Sequence, residues 1–258
     1  MKDSVLRTLL VSFVVCFICS LVVSYSAVSL RDAQETNKLN DKRTKILQAA
    51  GVFNPSLPVE DQFNKLEQKY IDFSSGLLID EVDGLDLSTY DPVEFSKKIN
   101  FSKAVNPDQD IAIIKSQELY GKIYILRDQD QGIDKVVLPV RGYGLWGTLF
   151  GFISLGADLN TIEGLEFYEH KETPGLGGEV DNPNWKNLWK GKKIYDLRNL
   201  VEIEVIKGKV SQNDLNIAYK VDGLSGATLT SRGITNMMHY WFGDNGYKTA
   251  LEGLKNGS

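Results

Sequence analysis

Apolar and polar positions follow three rhythms along this chain. From Thr8 to Leu30 there are 23 residues without a single charge. A helix of that length spans roughly 34 Å at 1.5 Å per residue, enough to cross a bilayer. A cleaved signal sequence is the rival reading. Ser24-Tyr25-Ser26 and Ala27-Val28-Ser29 resemble cleavage sites, but such leaders carry a shorter apolar core of about 7–15 residues. The helical pattern also runs on from Arg31 to Ala50, so the span reads as a retained anchor. The juxtamembrane helix Arg31–Ala50 stops at Gly51, with Pro55 beyond. Phe63, Leu66, Tyr70 and Phe73 recur at i, i+3, i+7 and i+10, which predicts an amphipathic helix over Glu60–Phe73. Asp91-Pro92 opens another short helix over Val93–Ile99.

The middle of the chain changes period. Ile111–Ile114, Ile123–Leu126, Lys135–Leu138, Leu149–Leu155, Leu165–Tyr168 and Val201–Ile206 are short β-rich runs separated by Gly, Asp and Pro. Trp185, Leu188 and Trp189 then suggest a helical turn. Ile234, Met237, Met238 and Trp241 form an i, i+3, i+4, i+7 stripe, and Tyr247–Leu254 closes the chain. Helices, then strands, then helices predict an α+β fold. The expected organisation is an anchor at residues 1–30 with one transmembrane helix, and a single α+β domain at residues 31–258.

Charge narrows the function. Net charge is −5 and residues 1–30 contribute +1, so the remainder carries −6. An acidic body argues against nucleic acid, which needs Lys and Arg to neutralise phosphates. Cys16 and Cys19 both lie inside the span, so the body has no disulfide and no thiolate ligand. His170 and His239 are its only histidines, and no metal site is expected. Orientation is ambiguous: Lys2 and Arg7 precede the span, but Arg31, Lys38, Lys42, Arg43 and Lys45 follow it.

Three segments carry candidate chemistry. Gly142-Tyr143-Gly144-Leu145-Trp146-Gly147 matches G-x-G-x-x-G. A dinucleotide fold needs a helix to open there. Thr148–Leu155 is instead rich in β-formers, so a Gly-rich hairpin is expected, with Tyr143 and Trp146 offering aromatic faces to a planar ligand. Glu169-His170-Lys171-Glu172-Thr173-Pro174-Gly175-Leu176-Gly177-Gly178 is an irregular loop. It is either an ordinary turn or a place where Glu172 and Thr173 bond a heterocycle's edge and Leu176 packs on its face. Asp222-Gly223-Leu224-Ser225-Gly226-Ala227-Thr228-Leu229-Thr230 stands at the mouth of the last long helix. Thr230 or Ser231 capping that helix is one reading; a phosphate held at its N-terminus is another. A hydrolase with Ser225 as nucleophile is a further reading, weakened because Gly223–Ala227 lacks the final glycine of a nucleophile elbow.

Asp222–Thr228 resembles the flavinylation motif of FMN-binding domains in bacterial respiratory complexes, and Glu169–Val180 resembles that family's second characteristic stretch. The likeness runs from the anchor to the C-terminus. It is closest to the branch that serves sodium-translocating NADH:quinone oxidoreductases as a flavin-bearing subunit. Rnf-type electron-transport flavoproteins and non-enzymatic envelope binding modules are the alternatives. The resemblance implies one FMN per chain, joined by a phosphoester bond to Thr228. It implies a site completed by Asp222, Leu224, Ser225, Gly226, Ala227, Trp146, Glu172, Thr173, Gly175 and Leu176. A flavin transferase using FAD and Mg²⁺ would install the group. The chain would relay electrons to another flavin subunit of a six-subunit complex that oxidises NADH, reduces ubiquinone and exports sodium. The anchor would sit in the bacterial inner membrane, with the body periplasmic and no catalytic side chain of its own.

Overall fold

The computed structural model describes residues 5–257; Lys2, invoked for orientation, lies outside them. The chain divides between Lys42 and Arg43 into two compact units. The first holds helix α1 (Val5–Ser29), whose most apolar window has a mean hydropathy of 2.5, long and apolar enough to cross a membrane. Helix α2 (Arg31–Ala49) carries the chain into the second unit.

Six strands form one antiparallel sheet in that unit. After helix α3 (Val59–Phe63) come β1 (Glu67–Asp72) and β2 (Leu78–Ile79), followed by helix α4 (Pro92–Phe95). A small antiparallel pair, β3 (Ser102–Ala104) and β4 (Ser116–Glu118), precedes the long strands. These are β5 (Tyr120–Arg127), β6 (Ile133–Tyr143), β7 (Thr148–Gly156) and β8 (Ile162–Glu169). The main sheet runs β2-β1-β5-β6-β7-β8. Helix α5 (Pro183–Asn187), the parallel pair β9 (Glu204–Val205) and β10 (Lys220–Val221), α6 (Thr228–Trp241) and α7 (Lys248–Gly257) complete the body.

Side chains alternate between faces along a strand, and these runs are apolar at successive positions, so the sheet is covered on both faces. Ile123, Ile125, Val136, Leu138, Leu149 and Ile153 join the core that contains Ile234, Met237 and Trp241 of α6. Their alternates Tyr124, Val137 and Phe152 meet Ile46, Leu47 and Ala49 of α2 in a second core. A buried ion pair ties β4 to β6: Arg141 donates to both carboxylate oxygens of Glu118. Burial opposes the guanidinium charge, Glu118 outweighs it, and the Arg141 pKa sits above the usual arginine value.

Four expectations needed correction; one is the Val93–Ile99 helix, which covers only Pro92–Phe95 before the chain turns. Glu60–Phe73 is not one helix, because residues 67–72 pair with β5 along a six-residue ladder. Tyr70 and Ile71 are both buried, as in a strand covered on both faces, and sheet pairing overrides a rhythm that also fits a helix. Ile111–Ile114 is a turn rather than a strand. Asp110 accepts hydrogen bonds from the Ile114 and Lys115 amides, and Ile113 takes φ 54°. In Val201–Ile206 only Glu204 and Val205 lie in a strand. The α+β class, the last long helix and the four long strands β5–β8 match the expectation.

Candidate functional site

The β6–β7 connection is a tight hairpin. Tyr143 pairs with Thr148, and the Gly144 amide donates to the Gly147 carbonyl at 2.8 Å. No helix opens at Gly147, so the dinucleotide reading is excluded by the backbone itself. The tip is apolar and open to solvent: Trp146 is 64% exposed, and Leu145 39%.

The second segment leaves β8 and turns at once. The Leu176 amide donates to the Thr173 carbonyl at 3.1 Å, and Gly175 adopts φ 75°. Pro174 followed by a positive-φ glycine makes this a type II turn, which leaves the Thr173 side chain and Leu176 exposed. His170 is a brace. Its Nδ1 accepts from the Glu172 amide at 3.2 Å, so Nε2 carries the proton and donates to Asp181 at 2.9 Å. His239 bonds the Ile203 carbonyl. Among the described residues no cluster suited to a metal is present.

The third segment enters α6. The Trp185 indole donates to the Asp222 carbonyl, and the Asp222 carboxylate accepts from the Val210 amide. A Cβ on Gly223 would lie 2.2 Å from the Ile206 carbonyl oxygen, so only glycine fits there. Gly226 adopts φ 71°, with Leu176 close above it. Leu224 and Ala227 are buried, whereas Ser225, Gly226 and Thr228 are exposed. The helix begins at Thr228, with Ala227 at the cap position and no side-chain cap. Thr230 and Ser231, expected as caps, sit inside the first turn instead. Ser231 accepts from the Leu224 amide, and Thr230 donates elsewhere. The amides of Thr228, Leu229 and Thr230 therefore have no acceptor among the described residues. Such groups, with the helix dipole behind them, favour an anion.

Glu172 joins the three segments. It is only 5% exposed. One oxygen accepts from the amides of Leu145 (2.9 Å) and Trp146 (3.0 Å), and the other from the Thr230 hydroxyl at 2.6 Å. Both oxygens are thus engaged by the protein. Glycines make the approach close: a Cβ on Gly144 or Gly177 would strike the Glu172 carboxylate, and one on Gly233 would lie 2.3 Å from the Tyr143 carbonyl oxygen. Gly233→Ala is accordingly expected to destabilise the body by about 3 kcal/mol through overpacking against backbone; urea denaturation measures it, and an unchanged midpoint would refute the contact.

An FMN-binding domain family matches residues 144–243, a stretch that holds the hairpin tip, the Glu172 loop and Thr228. Over its whole length the chain is 44% identical to NqrC of Pseudomonas aeruginosa, a subunit of its Na⁺-translocating NADH-quinone reductase, covering 99% of this chain and 98% of that protein. The chain belongs to the NqrC family of Na⁺-translocating NADH-quinone reductase subunits. The NqrC of Yersinia pestis is 37% identical, over 100% of this chain and 96% of its own length. The crystal structure of Shewanella oneidensis NqrC superposes with a TM-score of 0.77 at 32% identity, over 86% of this chain and 99% of that one. The family is that of an oxidoreductase complex, as the Asp222–Thr228 and Glu169–Val180 resemblances imply.

Trp146, Glu172, Thr173, Gly175, Leu176 and Asp222–Thr228 thus fall on three adjoining segments. The role of Thr230 as a buried partner escapes a reading of the sequence, as do the Leu145 and Trp146 amides, because amides carry no residue signature.

Proposed function

We propose that this chain is the flavin-carrying electron-transfer subunit of a Na⁺-translocating NADH:ubiquinone reductase, with one FMN esterified to Thr228. One observation supports the reading above others: the Thr228 hydroxyl is exposed at the first position of a 14-residue helix, and among the described residues neither it nor the three amides beside it has a hydrogen-bond partner. FMN, once bound, supplies the electron-transfer chemistry. The protein's part is position and charge. In maturation the Thr228 Oγ attacks the FMN-side phosphorus of FAD, the phosphoanhydride bond breaks, AMP leaves, and the hydroxyl proton passes to a base of the transferase. Mg²⁺ held by that enzyme would supply charge neutralisation at the phosphates. The resulting phosphodiester keeps one negative charge, which the Thr228–Thr230 amides stabilise.

Exposed Ser225 and Gly226 give the transferase access, and buried Leu224 and Ala227 hold the segment against the core. Asp222 fixes the approach through Val210 and Trp185. Trp146 and Leu176 offer apolar faces to the ring system, with Thr173 and Gly175 at its edge. Glu172 serves the site by fixing the hairpin tip. In this reading residues 1–30 anchor residues 31–258, which lie on the periplasmic side of the inner membrane. The chain receives and passes electrons within a six-subunit complex, and NADH oxidation, quinone reduction and sodium export belong to the assembly. The segment Thr8–Leu30 carries no charged residue, so no intramembrane carboxylate marks a sodium path through it.

The test is mass spectrometry of the full chain purified from cells that contain the transferase. A gain equal to FMN minus water, mapped to the peptide bearing Thr228, is expected. Flavin that co-purifies while that peptide stays unmodified would overturn the assignment.

A further inference from the structure

A second concavity lies on the same hairpin as the proposed flavin site. It is a cleft of about 550 Å³ between α4, the β3–β4 pair and the β6–β7 strands. Its apolar wall includes Val93, Ile99, Ile114 and Phe150. Its polar groups are nearly all spent. The hydroxyls of Ser96, Ser102 and Ser116 donate to the carbonyls of Val93, Lys98 and Lys103. Arg141 is committed to Glu118 and the Ser116 carbonyl. The interior therefore has little with which to orient a small polar ligand, and it suits an apolar side chain.

The rim has a different character. Lys97 and Lys115 both line the cleft, their ammonium groups make no ion pair or hydrogen bond among the described residues, and no acidic residue lines it. The two ammonium groups give the rim a positive edge, beside an Asp110 carboxylate occupied by the Ile114 and Lys115 amides, on a body that carries −6 in net charge. Large apolar side chains stand out beside it: Ile99 is 92% exposed and Ile113 51%. Single exposed apolar residues are ordinary, but a cluster around a concavity marks an interaction site. The cleft also adjoins the flavin-bearing end. Thr148, which lines it, is the register partner of Tyr143, and the Tyr143 amide donates to the Ala112 carbonyl.

We propose that this cleft receives an amphipathic acidic segment of a neighbouring subunit. A large apolar side chain would insert between Ile99 and Phe150, and flanking Asp or Glu carboxylates would pair with Lys97 and Lys115. Buried anchors supply most of the affinity of such an interface, and rim charges supply encounter and specificity. The arrangement sets a partner beside the end of the domain from which electrons would leave. The inference rests on the reading of this chain as one subunit of a complex.

The test is made on the intact complex, purified through a tag on the full chain. Lys97→Glu with Lys115→Glu is expected to lower the amount of the other reductase subunits retained by about ten-fold. Ile99→Asp should do the same. Each variant should keep the wild-type urea midpoint, since these positions are surface residues outside the flavin site. A photo-crosslinking residue at position 99 should join an Asp/Glu-bearing segment of another subunit. Full retention of those subunits by both variants would overturn the inference. So would their full retention together with lost binding to vesicles of anionic lipid, which would make the rim a membrane contact. If the wild-type chain retains no other subunit, the reading of it as a subunit fails first.

Discussion

Thr228→Ala is expected to give a folded, anchored chain with no flavin after denaturation. Thr228 is exposed and opens α6 without side-chain bonds, so removing its hydroxyl should change stability by less than about 0.5 kcal/mol. Alanine is also a good helix former. The loss of flavin should be complete. Two residues further on, Thr230 offers no substitute, because its hydroxyl is buried and donates to Glu172 at 2.6 Å. Thr228→Ser keeps an attacking oxygen and should restore attachment. Flavin fluorescence in a denaturing gel, with the intact mass beside it, reads both variants. A fluorescent band in the alanine variant would end the assignment to Thr228.

Glu172→Ala should have the second largest effect, on stability as well as on the flavin. The carboxylate accepts three hydrogen bonds from two other segments. Hydrogen bonds to a charged group contribute about 1.5–3 kcal/mol each, and a buried hydroxyl left unpaired adds its own cost. The Leu145 and Trp146 amides sit at an exposed tip and regain water, so the net loss should be about 3 kcal/mol rather than the sum. Glu172→Gln keeps an acceptor for the tip amides and should lose about 1 kcal/mol. Urea midpoints measure the difference. Hydrogen exchange at the amides of residues 145 and 146 should quicken in the alanine variant, as a brace predicts and a simple ligand contact does not. Wild-type protection of those amides in Glu172→Ala would refute the brace. Covalent flavin loading should fall in step with loss of order at the tip.

The four long strands were legible as runs of β-forming apolar residues bounded by Gly, Asp and Pro. The runs are continuous because both faces are covered: Val136 and Leu138 go to one core and Val137 to the other. β1 was not legible, since Leu66, Tyr70 and Phe73 are spaced for a helix and only the ladder to β5 decides otherwise. At the site, Thr228 and the Glu172 loop were visible as motifs. Their connection was not. Glu172 meets Leu145 at a separation of 27 residues and Thr230 at 58, and nothing local announces either contact. The small residues of the motif were legible as small, and the structure supplies a further reason for them. Gly223 must clear the Ile206 carbonyl, and Gly226 must turn left-handed beneath Leu176.

The β6–β7 hairpin bears on how this FMN-binding domain can be transplanted. The family match begins at residue 144, one position after β6 ends. That boundary severs a nine-pair ladder and removes Gly142, whose missing Cβ admits Met237 of α6. A fragment cut at residue 144 would carry Thr228 on a helix without its floor, and would expose the long edge of β7 to other chains. A portable flavin tag has to start near Arg43, where the compact unit begins. The smallest module that can be moved is therefore about twice the length of the motif-bearing segment, and any search for autonomous carriers of this kind should count strands before it counts threonines.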